Sequence, residues 1–218
     1  MIKWLQALLG WGGDGETSQQ ASESSPAAQD VPPLPTVDQS TATSQGYAKP
    51  HFRFFPNAYD FGADGEEVFK RETGPCHCCG MRDIYAYQRS VYWLRRDKPV
   101  ISARCIADGT MAGLLFEGQT YSFHDCEVEG LDWDSPEVEE IQSRTPGFPT
   151  FNPFDWPSIG GEPMAFMGYG DEEKWKTVPE ARAAMKEANE GQDRFPCPYL
   201  LIFKEIDGPR FKAVIDPD

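Results

Sequence analysis

The run Cys76-His77-Cys78-Cys79-Gly80, followed further along by Ser102-Ala103-Arg104-Cys105-Ile106-Ala107-Asp108-Gly109, reads as a metal site with one ligand missing. A structural Zn²⁺ site closes tetrahedrally on four Cys or His ligands, supplied as CxxC-type pairs on tight turns that aim both thiolates at one point. Cys76 and Cys79 form the first pair, and Cys105 stands alone in the second. Ser102 holds the place of its partner, and a neutral hydroxyl is too hard and too weakly acidic to replace a thiolate on Zn²⁺. Either Cys78 or His77 supplies a fourth ligand, or the cluster is a relic whose thiols pack as small apolar groups in a turn shaped by Gly74, Pro75 and Gly80. A closed shell would make the metal structural, with no open position for water.

Other residues compete for chemical roles. A CxxC thiolate pair can be redox-active, but a strand feeding straight into a helix, the thioredoxin-like setting, is not evident around Cys76. His124 and Cys126 would share one face of a strand, with Cα atoms about 7 Å apart. They could form a dyad, yet no oxyanion-hole signature such as GxSxG accompanies them. The segment from Asp125 to Glu140 carries Asp125, Glu127, Glu129, Asp132, Asp134, Glu137, Glu139 and Glu140 without a Lys or Arg, interleaved with Val128, Leu131 and Trp133. Carboxylates around an aromatic anchor suit a binder of a basic protein surface, because the charges set approach and register while a buried Trp carries energy. The competing reading is a solvated acidic face whose Trp133 turns into the core. Asp171-Glu172-Glu173 with Trp175 is a second acidic spot.

These groups need a scaffold, and the sequence outlines one that begins near Phe52. Period-two placement of Tyr85, Tyr87, Val91 and Trp93 predicts a strand over 84–94, and Cys105 should open a helix through Phe116. The dipole of that helix would lower the Cys105 thiol pKa. Thr120 to Cys126 is a further strand candidate, with Tyr121 and Phe123 on one face. Ser135 as N-cap and Pro136 at the first position start a short helix that stops before Pro146. Thr177, Pro179 and Glu180 read as a capping-box start for a helix ending at Gly191. Tyr199–Phe203 and Phe211–Ile215, joined through Asp207-Gly208, form a final hairpin.

A formal charge of −15 on 218 residues argues against nucleic-acid binding, which needs clustered Lys and Arg. The same charge favours basic protein partners through steered encounter. No apolar run reaches the roughly 18 residues of a membrane span, so no transmembrane segment is expected. Cysteines bunched at 76, 78, 79 and 105 suit a reduced compartment, and the cytoplasm is the expected one. The stretch 12–46 is rich in Ser, Thr, Gln, Ala and Pro and reads as a disordered tether. It would isolate residues 1–11, a short apolar helix with Ile2, Leu5 and Leu9 on one stripe, which would dock to a partner, to a membrane surface, or to the chain's own domain over 51–218.

The Cys76–Gly80 and Cys105–Gly109 segments, Arg144-Thr145-Pro146-Gly147-Phe148, Trp156 and Ala165-Phe166-Met167-Gly168 follow one another in an order that resembles the CbrC family of bacterial proteins. In that family the second knuckle usually reads CPWCIADG, so Cys105-Ile106-Ala107-Asp108-Gly109 looks like its second half. The family's His-Cys pair falls where this chain has Ile159-Gly160, and a later Cys pair falls at Phe203 and Ile206, which marks a divergent member. The resemblance implies an association with tolerance of colicin-type toxins. The resulting expectation is an α+β domain with a treble-clef-like cysteine knuckle, antiparallel strands and short helices, behind a disordered N-terminal tether. It would be non-enzymatic and would neutralise a basic toxin or other protein through its acidic face. A zinc-stabilised adaptor or regulator is the alternative, and a Cys-dependent enzyme the third.

Overall fold

The computed structural model describes residues 49–60, 67–91, 98–113, 121–190 and 199–216. These fall within one unit, Thr36–Asp218. The expected N-terminal helix and tether lie outside the described residues. In chain order the elements are β1 (Phe69–Glu72), β2 (Ile84–Tyr87), α1 (Ala103–Ala107), α2 (Pro136–Arg144), β3 (Ser158–Ile159), β4 (Glu162–Pro163), β5 (Ala165–Tyr169), a 3₁₀ turn (Glu173–Thr177), α3 (Pro179–Ala188), β6 (Leu200–Lys204) and β7 (Phe211–Ile215). The described pairings β1–β2, β3–β4, β5–β6 and β6–β7 are all antiparallel, so the expected α+β class with short helices holds. None of the described helices is long and apolar enough to cross a membrane.

The predicted final hairpin forms, with Leu200 opposite Ile215 and Lys204 opposite Phe211, and β5 joins its other edge. Period-two geometry sends Leu201 and Phe203 into the main core and Leu200 and Ile202 into a second cluster with Trp175 and Ala181 of the α3 side. Both faces of β6 are therefore covered, which is why it reads as an unbroken apolar run. The main core is aromatic. Phe148 stacks on Phe166 at 3.6 Å, and fully buried Trp156 packs edge-on to Phe54 and Phe203 and donates its indole N–H to the Met164 carbonyl at 2.7 Å.

Several expected boundaries move. The strand over 84–94 ends at Tyr87, because β1 offers only four partners and Gln88 then donates to Val68 across the end of the ladder. The helix expected from Cys105 to Phe116 instead starts at Ala103 and stops at Ala107, where Gly109 takes φ +77° and the Thr110 N–H bonds the Asp108 carboxylate. Residues 121–126 are not a strand. Phe123 donates to the Gln142 carbonyl at 2.6 Å, so this segment lies along α2 rather than beside a strand edge. The α2 helix begins at Pro136 as expected and ends at Arg144. In α3 there is no capping box: Val178 is the N-cap, and the Thr177 hydroxyl donates to the Lys174 carbonyl of the preceding 3₁₀ turn.

Candidate functional site

The knuckle is assembled by backbone hydrogen bonds that aim sulfur inward. Cys76 donates to the Met81 carbonyl and accepts from Gly80, both at 2.8 Å, and Gly80 adopts φ +72°, a region open to glycine. This tight turn leaves the Cys76 sulfur facing the Cys78 N–H at 3.4 Å and the Ser102 N–H at 3.2 Å. Ser102 is also the N-cap of α1, its hydroxyl accepting the Cys105 N–H at 3.2 Å. That cap fixes Cys105 in the first turn of α1 and brings its sulfur 3.8 Å from that of Cys76. Cys79 completes the group, so three sulfur atoms lie within 4.8 Å of one another and could hold a metal ion. Knuckle, strand and helix start thus follow the treble-clef-like order.

The other expected ligands take different places. Val100 donates its N–H to His77 Nδ1 at 2.8 Å and accepts the His77 N–H at 2.8 Å, which ties His77 to the strand connection and away from the sulfurs. The Cys78 thiol lies 3.8 Å from the Met111 thioether, outside the trio. Met111 was not singled out from sequence. Its cue was a soft, apolar residue closing the small-residue stretch after α1, where its N–H bonds the Cys105 carbonyl at 2.8 Å.

Electrostatics single out one sulfur. Hydrogen bonds from Cys105 first, then from Cys78 and Cys79, hold the Cys76 thiol far below its ordinary range, against the effect of burial. The bond to Cys76 pushes Cys105 up, and bonds to Cys105 and Cys76 do the same to Cys79. The expected lowering at Cys105 by the helix start is therefore reversed, because a second negative charge would sit beside the first. A cation placed among the three sulfurs inverts that balance and favours all three thiolates.

His124 and Cys126 are core residues. Burial lowers the His124 pKa to about 4 and raises that of Cys126 to about 12. The His124 ring lies between Phe148 and Trp156, with Nε2 3.3 Å from the Pro146 carbonyl, and no hydrogen bond joins it to Cys126 among the described residues.

The acidic segment divides in two. Glu129 pairs with Lys212 at 2.6 Å and accepts the Ser158 N–H, Glu139 pairs with Arg144 at 2.9 Å, and Glu140 with Arg53 at 3.6 Å. Arg144 thus pairs with an exposed carboxylate. Among the described residues no ion pair engages Asp125, Glu127, Asp132, Asp134 or Glu137. Glu137 stands in the first turn of α2, and the loop that carries the others is pinned where Val128 bridges Trp156, then turned at Gly130 with φ +71°. Trp133 at its tip is 59% exposed, while Trp156 and Trp175 fill the core. The second acidic spot is structural: Glu172 accepts the Tyr169 N–H at 2.7 Å and Trp175 is buried against α3.

The segments that carried the sequence resemblance mostly line the core. A β-carbon at Gly147 would stand 2.9 Å from the Tyr87 hydroxyl, and one at Gly168 would collide with Glu172. Residues 49–196 match the model of an uncharacterised protein family, UPF0167. The chain is 29% identical over 153 residues to UPF0167 protein Mb2317 of Mycobacterium bovis and, equally, to UPF0167 protein MT2352 of Mycobacterium tuberculosis. Each alignment covers 69% of this chain and 76% of the relative. No solved structure matches the chain.

Proposed function

We propose that this chain, which belongs to the uncharacterised protein family UPF0167, is a non-enzymatic binding protein whose acidic loop captures a basic protein. The observation that carries the proposal is the exposure of Trp133 between Asp132 and Asp134, two carboxylates that no ion pair engages among the described residues. An indole left in water between charges is stabilised when a partner covers it, and such aromatic anchors dominate interface energetics. The unpaired carboxylates would steer a cationic surface onto it and fix its register. The resemblance to the CbrC family points to colicin-type toxins as the partner, met in the cytoplasm and neutralised by occlusion. The cysteine trio would serve the scaffold. Tetrahedral Zn–S bonds of about 2.3 Å set sulfurs about 3.8 Å apart, the separation found between Cys76 and Cys105. Zinc held there would tie α1 to the knuckle without taking part in turnover. That same cluster favours the second reading, a zinc-stabilised adaptor with an unrelated partner.

The test is a titration of the full chain with a purified basic cytotoxic domain of a colicin, at low and at physiological salt. Exchanging Asp132 and Asp134 for lysine should weaken binding at least tenfold at low salt, and the loss should shrink as salt screens the charges. Equal affinity for wild type and the charge-reversed protein would overturn the electrostatic mechanism. Absence of binding to the colicin domain, with retained binding to another basic protein, would favour the adaptor.

A further inference from the structure

We propose that Cys78 is the fourth ligand of the cysteine site, so that a CxCC knuckle supplies three thiolates and replaces the second-knuckle partner that Ser102 lacks. The inference rests on the reading that the trio holds a metal. It begins with elimination by geometry. The Ser102 hydroxyl is committed to the Cys105 N–H as the cap of α1, and losing it would loosen the helix that positions Cys105 itself. His77 Nδ1 accepts the Val100 N–H at 2.8 Å, within a pair of backbone bonds that fixes the ring's direction. Recruiting His77 would break a hydrogen bond and leave a half-buried N–H without an acceptor.

Cys78 has no such commitment. Its thiol is buried and lies 3.8 Å from the Met111 thioether, a weak acceptor. Its N–H already points at the Cys76 sulfur at 3.4 Å, so its Cα stands beside the cluster. Exchanging a thioether contact for a bond to a divalent metal releases one thiol proton to solvent and forms one metal–thiolate bond. Nothing else in the knuckle has to be undone. Met111 would then remain as the apolar wall behind a four-sulfur shell, of the kind that selects Zn²⁺ over harder cations.

The experiment loads reduced full-length protein with Co²⁺ in place of Zn²⁺ and reads the thiolate-to-metal charge-transfer band together with the affinity for Zn²⁺ by chelator competition. Wild type should bind one ion per chain, and Cys78→Ser should lose about a quarter of the band as the thiolate count falls from four to three. Zinc affinity should fall at least tenfold in that variant and stay within about twofold in His77→Ala. Should Cys78→Ser fail to fold, alkylation of wild type decides the matter: zinc should slow the modification of Cys78 at least as much as that of Cys79. An unchanged band in Cys78→Ser, or equal Cys78 alkylation with and without zinc, would overturn the inference while leaving the metal site intact. Wild type that binds no metal would remove both.

Discussion

The cysteine knuckle and the acidic loop both concentrate chemistry-bearing side chains in a short stretch, yet they treat their polar groups in opposite ways. In the knuckle the charge-bearing atom is wrapped: the Cys76 sulfur accepts from two backbone N–H groups and lies 3.8 Å from the Cys105 sulfur, and His77 and Ser102 are bound to main chain. In the acidic loop the backbone is pinned by the Val128–Trp156 bridge, while Asp132, Trp133 and Asp134 project into water. The first arrangement is built around something small that must be fully surrounded. The second is built for something large that brings its own countercharge, because unscreened carboxylates on a fixed loop keep their solvation until a partner replaces it.

The widest separation between the two regions should come from metal removal. At a free metal level a thousandfold above Kd, a site occupied only in the folded state contributes about 4 kcal/mol. Chelation, or Cys105→Ala, should therefore lower Tm by about 10 °C in thermal unfolding. The Asp132→Lys, Asp134→Lys protein should show the same drop on chelation as wild type. Thermal curves unmoved by chelator would mean that the thiols are packing groups and that the contrast between the regions is one of burial alone.

His124 offers a smaller effect that belongs to neither region and so calibrates both. In the unfolded chain its imidazole protonates near pH 6.5, whereas burial keeps it neutral in the fold down to about pH 4. Between those values the unfolded chain binds more protons, so stability rises with pH across the window. The contribution is complete above about pH 6.5 and is lost as pH falls toward 4, about 3 kcal/mol in all. Urea unfolding should show wild type losing that much more than His124→Gln between pH 7 and pH 4. Parallel pH profiles would mean that the ring is not held neutral between Phe148 and Trp156.

How far all this could be read in advance depended on whether a signal was local. Pro136 and the stop before Pro146 bounded α2, and the two apolar runs around Asp207-Gly208 gave β6 and β7, because turn and cap chemistry sits within a few residues of the element it shapes. Cys76, Cys79 and Cys105 were legible for the same reason, since ligand spacing is a local property of a tight turn. The role of Ser102 was not. Its place in the spacing pattern marked it as a lost ligand, and only the fold shows the hydroxyl capping α1 and its N–H reaching the Cys76 sulfur. The strand expected over Thr120–Cys126 failed because alternation of Tyr121 and Phe123 records ring packing, not pairing: Phe123 packs edge-on against Tyr87 and Tyr121, while its N–H bonds the Gln142 carbonyl of α2. The pattern alone leaned toward a Trp133 turned into the core, whereas the side chain is exposed, because Trp156 already fills the core behind the loop.

That difference between the two tryptophans gives the smallest and most discriminating expectation. Trp156 is fully buried, its indole N–H is satisfied by Met164, and its removal as Trp156→Ala should cost about 3–5 kcal/mol. Trp133 touches water over most of its surface, so Trp133→Ala should shift unfolding by no more than about 0.5 kcal/mol, with an unchanged denaturant slope. The same substitution should nonetheless weaken binding of the basic probe about thirtyfold, the scale of a central aromatic anchor worth about 2 kcal/mol. A side chain that matters to the partner and not to the fold is what a docking loop requires. If Trp133→Ala instead destabilised the protein by more than about 1 kcal/mol, the loop would be held by its tryptophan rather than by the Val128–Trp156 bridge. The acidic residues would then be solvating a structural turn, and the distinction between a wrapped site and an offered one would fail at its exposed end.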